Sequence, residues 1–110
     1  MSDRRLKFWG WGHEDQTLSE AQAREVAARI GGLTGISLHG YTAPPTLAEI
    51  NLATPRLTAP QALAGICSTS AYDRAAHTYG KSYPDYIRAY ARNFSNAPDI
   101  VAFPESEEDI

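Results

Sequence analysis

One short apolar run near the end of the chain limits the folds that this sequence can adopt. Residues 100–103 are all apolar and lie between two prolines, a pattern typical of a strand that is covered on both faces. This is the one segment that predicts a strand, and a lone strand cannot satisfy its own backbone donors and acceptors. We therefore expect its neighbouring strands to lie outside these residues. Ser106, followed three residues later by Asp109, predicts a helix N-cap directly after the strand.

The residues before this strand predict a series of short helices, most of which begin at a cap pair spaced three residues apart. The first pair, Ser19 and Gln22, opens a helix that should end at Gly31-Gly32, because glycine adopts the left-handed cap at little cost. Further helices are predicted over 47–51, over 58–67, from Ser70 to Gly80 and from Ser82 to about Phe94. The predicted fold class is mainly α, with several short capped helices followed by one C-terminal strand.

The composition excludes several classes of protein. The chain has 110 residues, 43% apolar and 21% charged, which is ordinary for one globular domain. The net charge is -3 and the arginines are interspersed with acids, so nucleic-acid binding is not expected. The single cysteine, Cys67, excludes an internal disulfide and fits a reducing compartment. No segment has the apolar length of a transmembrane helix or of a secretory signal, so we expect a cytoplasmic protein.

Two tryptophans separated by glycine mark an arm at the start of the chain, residues 1–16, which we expect to be irregular. Trp9 and Trp11 predict either aromatic anchors that pin the arm to the body of the protein or the wall of a hydrophobic or sugar-binding site. We favour the anchors, because large aromatic side chains bury a substantial area. The intervening glycines allow the backbone to lie close to its support.

The sharp corner between two predicted helices, residues 72–83, holds the other candidate site residues. Its glycine and serine are explained as helix caps. Four polar or charged residues have no such explanation: Arg74, His77, Tyr79 and Lys81. They are either parts of a tightly packed corner or a surface that faces an anionic ligand or cofactor, since anions bind readily beside a helix N-terminus.

No other constellation in the sequence predicts chemistry. Cys67 lies on a predicted apolar helix face without a neighbouring base, so a structural role is favoured over that of a nucleophile. The three histidines are too scattered to predict a metal site. Glycine-rich phosphate loops are absent from the sequence. We assign no catalytic residue and no metal ligand.

Three segments together resemble the N-terminal part of FAD-binding oxidases of the vanillyl-alcohol-oxidase type, and the alkylglycerone-phosphate synthase-like branch most of all. These are 9–12, 72–83 and 98–104, which occur in the same order and at similar spacing as in that family. The resemblance covers nearly the whole chain. It departs at Tyr79, where such synthases commonly have a histidine before the glycine of the corner. This departure weakens the inference of an ether-lipid substrate and leaves the resemblance to the flavin family intact.

The resemblance implies a domain organisation and a cofactor. Residues 1–97 would be a helical region that packs against a downstream FAD-binding domain, and 98–110 would be that domain's first strand and helix start, truncated. The whole protein would then be an FAD-dependent oxidoreductase that acts on a small-molecule substrate, and it could form a homo-oligomer. The 110 residues alone would be inactive, because the flavin-binding loop lies outside them. The alternative is a self-contained helical interaction module whose C-terminal strand pairs with a partner's sheet.

Overall fold

The computed structural model describes residues 4–110 and confirms a mainly α fold. Within these residues there are three α-helices, four 3-10 turns and a two-stranded antiparallel sheet. The α-helices are α1 (Glu20–Thr34), α2 (Ala71–Ala76) and α3 (Tyr83–Tyr90), and the strands are β1 (Cys67–Ser68) and β2 (Val101–Ala102). The 3-10 turns are Glu14–Gln16, Leu47–Glu49, Gln61–Ile66 and Glu107–Asp109.

The predicted start of α1 is confirmed, and its predicted end is wrong. The Ser19 hydroxyl accepts from the Gln22 backbone N–H at 3.2 Å, and the Gln22 side chain accepts from the Ser19 N–H at 2.9 Å. The helix continues through the Gly31-Gly32 pair and ends at Gly35, whose φ of 73° is left-handed. Gly31 serves another purpose, because the chain turns back after Gly35 and a Cβ on Gly31 would lie 2.9 Å from the Ile36 carbonyl oxygen.

The C-terminal strand has its partner inside the chain, so the expectation of neighbours elsewhere is wrong. Ser68 pairs with Val101 and Cys67 with Ala102, and the Phe103 N–H donates to the Ile66 carbonyl at 2.8 Å. The predicted coverage of both faces is also wrong, since Val101 is buried while Ala102 is exposed. A local pattern could not reveal this pairing, because β1 is two residues long.

Several other predicted boundaries differ from the structure. Cys67 lies in β1 rather than in a helix, and the preceding 3-10 turn begins after Pro60 instead of Thr58. The helix that begins at Ser70 ends with His77 as its C-cap, before Gly80. The segment after Ser106 is a single 3-10 turn, Glu107–Asp109, without a side-chain cap, and the Asp109 carboxylate accepts from the Glu105 N–H at 2.9 Å.

A small core joins the N-terminal arm to α2 and α3. Its buried members are Phe8, Ile50, Ala75, Ala89 and Phe94, and the Phe8 and Phe94 rings lie 5.6 Å apart. Burial of these side chains stabilises the fold at roughly 25 cal/mol per Å² of apolar surface. The core therefore fixes the arm and the two helices of the corner as one unit.

Two arginines hold the irregular segment 44–56 against this core. The buried Arg74 donates to the Ala53 carbonyl at 2.6 Å and to the Pro98 carbonyl at 2.7 Å. Arg92 donates to the Pro44 carbonyl at 3.3 Å and to the Glu49 carboxylate at 3.3 Å. Side-chain donors thus satisfy carbonyls that have no sheet or helix partner.

Candidate functional site

The N-terminal arm forms a hairpin with both tryptophans at its tip. Leu6 bridges His13, the Lys7 N–H donates to the Gly12 carbonyl at 2.9 Å, and the Glu14 N–H donates to the Arg5 carbonyl at 2.8 Å. The turn requires glycine at position 12, where φ is +84°. The ordered hairpin replaces the irregular arm that the sequence predicts over 1–16, of which residues 1–3 lie outside the described part of the chain.

Two tyrosines attach this hairpin to the helices. The Tyr72 hydroxyl of α2 donates to the Leu6 carbonyl at 2.7 Å, near the base of the hairpin. At the tip, the Tyr86 hydroxyl of α3 accepts from the Trp11 backbone N–H at 2.8 Å. Burial raises the pKa of Tyr72, so its phenol keeps the proton that it donates.

Trp9 packs edge-on against α3. Its ring lies 6.2 Å from that of Tyr86 and 5.6 Å from that of Tyr90, both nearly perpendicular. Tyr86 can approach because Gly10 has no side chain, and a Cβ there would lie 2.8 Å from the Tyr86 hydroxyl oxygen. Burial of Tyr90 raises the pKa of its phenol.

Trp11 and Lys81 are the one pair of predicted site residues that the contacts of the structure join directly. The Trp11 indole Nε1 donates to the Lys81 carbonyl at 3.0 Å, and the Lys81 ammonium lies 5.7 Å from the centre of the Trp11 ring. Trp11 remains 69% exposed. The pair therefore presents an aromatic surface and a cation side by side at the corner.

His77 and Tyr79 contact other neighbours. The His77 Nδ1 lies 2.7 Å from the Asp73 carbonyl oxygen, and its ring meets Phe103 edge-on at 5.7 Å. Tyr79 packs against Phe94 at 6.1 Å, with the Arg88 guanidinium 5.0 Å above its ring. Neither residue shares a hydrogen-bond partner with Lys81 in the described residues.

Arg74 is 4% exposed, and its guanidinium donates to the carbonyls of Ala53 and Pro98. This places it under the corner rather than on its outer surface. The sequence singled out Arg74 because no local cap explains it. The explanation lies in two carbonyls that are distant in sequence.

The corner itself is held by a single carboxylate. Asp85 accepts from the Ser82 N–H at 3.0 Å and from the Ser82 hydroxyl at 2.6 Å, and Arg88 donates to its other oxygen at 2.8 Å. Hydrogen bonds from Ser82, with the charge of Arg88, lower the pKa of Asp85. Gly80 belongs to the same arrangement, since a Cβ there would lie 3.1 Å from the Asp85 carboxylate.

The inside of the corner has no room for a ligand. The cavity among Phe8, Trp9, Tyr79 and Phe94 measures about 10 Å³, which holds one water molecule at most. Within residues 4–110, no group of three histidine, cysteine, aspartate or glutamate side chains could hold a metal ion. Any ligand of the corner must therefore lie against its outer surface.

Sequence reasoning missed Tyr86 and the aromatic surface around it. Tyr83 and Ile87 lie one helical turn apart on α3, and both are exposed, as is Trp11. The apolar residues of α3 share one broad face, and the sequence does not show which of them pack against the hairpin and which face the solvent. The glycine between the tryptophans was the available indication, because it marks a close approach.

Two solved structures of alkyldihydroxyacetonephosphate synthase, in different crystal forms, are similar to this chain. One aligns with 94% of this chain at a TM-score of 0.68 and 24% sequence identity, and the other at 0.64 and 22%. This chain has the fold of a region of that synthase. The resemblance stated from the sequence is confirmed at the level of the fold.

The likeness is limited in extent. The chain spans about a quarter of the length of the solved structures that it matches, 24% in each case. No protein-family model and no curated protein sequence matches the chain. None of the helices in the described residues is long and apolar enough to cross a membrane.

Proposed function

We propose that this chain is the N-terminal helical part of an FAD-dependent oxidoreductase similar to alkyldihydroxyacetonephosphate synthase. The observation that carries the proposal is the shared fold over 94% of the chain. The order of the three sequence segments supports it, because the hairpin, the corner and the C-terminal strand are the elements that the fold brings together. On this view the chain packs against a flavin domain of the same protein.

The outer surface of the corner is the candidate contact with that domain. Trp11, Tyr83 and Ile87 leave large apolar side chains in solvent, with Lys81 beside them. Aromatic residues are enriched where proteins bury a surface against a partner, and exposed apolar patches of this kind commonly mark such contacts. We assign His77, Tyr79 and Lys81 to the neighbourhood of the cofactor or substrate channel, with Arg74 supporting them from beneath.

The residues of this chain do not by themselves form a flavin site. The sequence lacks a glycine-rich phosphate loop, and the interior of the corner holds no more than a water molecule. The chain would therefore supply a wall that orients the flavin domain and excludes water, while the loop that binds the pyrophosphate would come from the downstream domain. We accordingly expect the 110 residues alone to be inactive and to purify without flavin absorbance near about 450 nm.

Reading the gene beyond residue 110 gives the first test. We expect a Gly-Gly-Gly-Thr/Ser loop within roughly 30–50 residues, the reach of one β-α-β unit. The second test expresses the chain and the downstream polypeptide as two separately tagged pieces. We expect them to copurify with bound flavin, and the variant Ile87→Arg to abolish copurification because it places a charge in the contact.

The matched control is Ala62→Arg, which adds the same charge at an exposed position on a different element. It should leave copurification unchanged. A stop codon after residue 110, or flavin bound by the chain alone, would contradict the proposal. Equal loss of copurification in both variants would contradict the assignment of the contact surface.

The second candidate, a self-contained interaction module, is separated from the first by hydrogen exchange. The interaction-module hypothesis predicts that the amides of residues 100–103 are protected from exchange only when a partner is present. The pairing of β2 with β1 favours protection in the free chain, because the Phe103 N–H already donates to Ile66. Exchange of that amide at the rate of an unstructured peptide would support the module.

A further inference from the structure

A polar cleft of about 400 Å³ lies between two irregular segments of the chain, 53–56 and 95–99. Residues 53, 54 and 56 line one wall, residues 95–97 and 99 line the other, and Arg74 of α2 completes the lining. Arg74 donates to a carbonyl of each wall, and Arg56 donates across the cleft to the Asp99 carboxylate at 3.0 Å. These bonds hold the two walls at a fixed separation.

The guanidinium of Arg74 is a buried charge without an acidic partner. The residue is 4% exposed, and the ion pairs found within residues 4–110 all involve other arginines. Its Nε and Nη2 donate to the two carbonyls, whereas its Nη1 has no acceptor in that part of the chain. Nη1 is not sealed from solvent, since every fully buried side-chain nitrogen or oxygen there has a hydrogen-bond partner. Because Arg74 lines the cleft, this free donor can serve a ligand in it.

The side chains that line the cleft carry a net positive charge. Arg56 and Arg74 are the cations, and Asp99 is the one acid among the lining residues. Asp99 is already engaged, because it accepts from the backbone N–H and from the guanidinium of Arg56, both at 3.0 Å. Hydrogen bonds from Arg56, with a smaller contribution from the charge of Arg74, lower the pKa of Asp99. The charge of Arg74 is therefore left to be balanced, and a buried charge is costly until it is paired.

Neutral donors lie on both walls of the cleft. Thr54 is exposed on one wall, and its hydroxyl bonds to no other group of the described residues. Asn96 is exposed on the other wall, and its amide has only a long contact of 3.5 Å to the Tyr79 hydroxyl. Arginine is well suited to phosphate, and hydroxyl and amide groups add donors from other directions. Donors from several directions match a tetrahedral anion better than a planar carboxylate.

We propose that this cleft binds a small tetrahedral oxyanion of the phosphate class, with Nη1 of Arg74 as the charged donor and with Thr54 and Asn96 as neutral donors. The cleft shares no residue with the aromatic surface of the corner, and its test involves no flavin. The proposal is therefore independent of the proposed flavoprotein function. A site with one charged donor and exposed walls is weak, and we expect a dissociation constant of about 0.1–10 mM.

Nuclear magnetic resonance of the 15N-labelled 110-residue chain tests the site, with inorganic phosphate as the probe. Sodium chloride is lowered as phosphate is added, so that the ionic strength stays constant. We expect saturable shifts of the Arg74 Nε–H and of backbone amides in 53–56 and 95–99. Acetate should bind at least about tenfold more weakly. Shifts that do not saturate, shifts that are as large at surface arginines, or acetate binding of equal strength would overturn the proposal.

Two variants in the cleft test the assigned donors. Asn96→Asp places a negative charge in the cleft and should weaken phosphate binding by about tenfold or more. Gln61→Glu is the matched control, because it makes the same change from amide to carboxylate at an exposed position outside the cleft. It should leave the affinity unchanged. Thr54→Val removes one hydroxyl and should weaken binding by about 2–10-fold.

Circular dichroism without phosphate checks that the variants keep their fold. Both Asn96 and Thr54 are exposed, and neither supplies the carbonyls that Arg74 holds, so we expect the fold to persist. Equal affinity for phosphate in Asn96→Asp, Thr54→Val and Gln61→Glu would overturn the proposal.

Discussion

The buried guanidinium of Arg74 gives the sharpest test of how this fold is held together. It donates to the carbonyls of Ala53 and Pro98 at 2.6 and 2.7 Å, and a charged donor contributes about 1.5–3 kcal/mol per hydrogen bond. Arg74→Met removes both bonds and keeps most of the stem. Release of the buried charge offsets part of the loss. We expect the free energy of unfolding to fall by about 2–4 kcal/mol.

The assay is urea and thermal unfolding of the 110-residue chain, followed by far-UV circular dichroism and by tryptophan fluorescence. A fall of this size lowers the melting temperature by about 8–16 °C in a domain of this length. Arg74→Lys should lose less, because an ammonium retains the charge and reaches one carbonyl. Arg56→Met is the matched control, since Arg56 is 85% exposed and pairs with Asp99 at the surface, where ion pairs contribute at most about 1 kcal/mol.

Equal stability of Arg74→Met and the unaltered chain would refute this reasoning. It would mean that the two carbonyls are satisfied without the guanidinium. Arg74 would then be available to a ligand of the larger protein, as the sequence alone allowed.

Three further predictions follow from local geometry. Gly10→Ala should destabilise the fold by about 1–3 kcal/mol in urea unfolding, because its Cβ meets the Tyr86 hydroxyl, and Tyr86→Phe should partly rescue it in a double-mutant cycle. Gly35→Ala should lower the free energy of unfolding by about 1 kcal/mol, because Gly35 has a left-handed φ. Gly32→Ala, inside the same helix, should raise it by about 0.5–1 kcal/mol. Changes of the same sign in both variants would contradict the assignment of Gly35 as the C-cap. The lowered pKa of Asp85 means that its contribution to stability is complete above its ordinary pKa of 3.8 and is lost as the pH falls through the lower folded value. Asp85→Asn should therefore flatten the loss of stability in acid, and an unchanged acid profile would contradict the role of the carboxylate.

The sequence predicted those features that depend on atoms a few residues apart. The cap of α1 forms between Ser19 and Gln22, and the cap of α3 between Ser82 and Asp85, each within one helical turn. The resemblance of three short segments also predicted the fold that the solved synthase structures share. Helix ends were less predictable, because Gly31 is used for the approach of the returning chain instead of for a cap.

Contacts between residues that are distant in sequence decided the features that the sequence alone did not predict. The sequence alone determined a string of short capped helices, an apolar C-terminal strand and the residues of the corner. Only the tertiary structure paired that strand with Cys67–Ser68, placed Tyr86 under the Trp hairpin and buried Arg74 against two remote carbonyls. The reason is physical: a cap is complete within four residues of chain, whereas a bare carbonyl or a two-residue strand carries no local mark of the partner that will satisfy it.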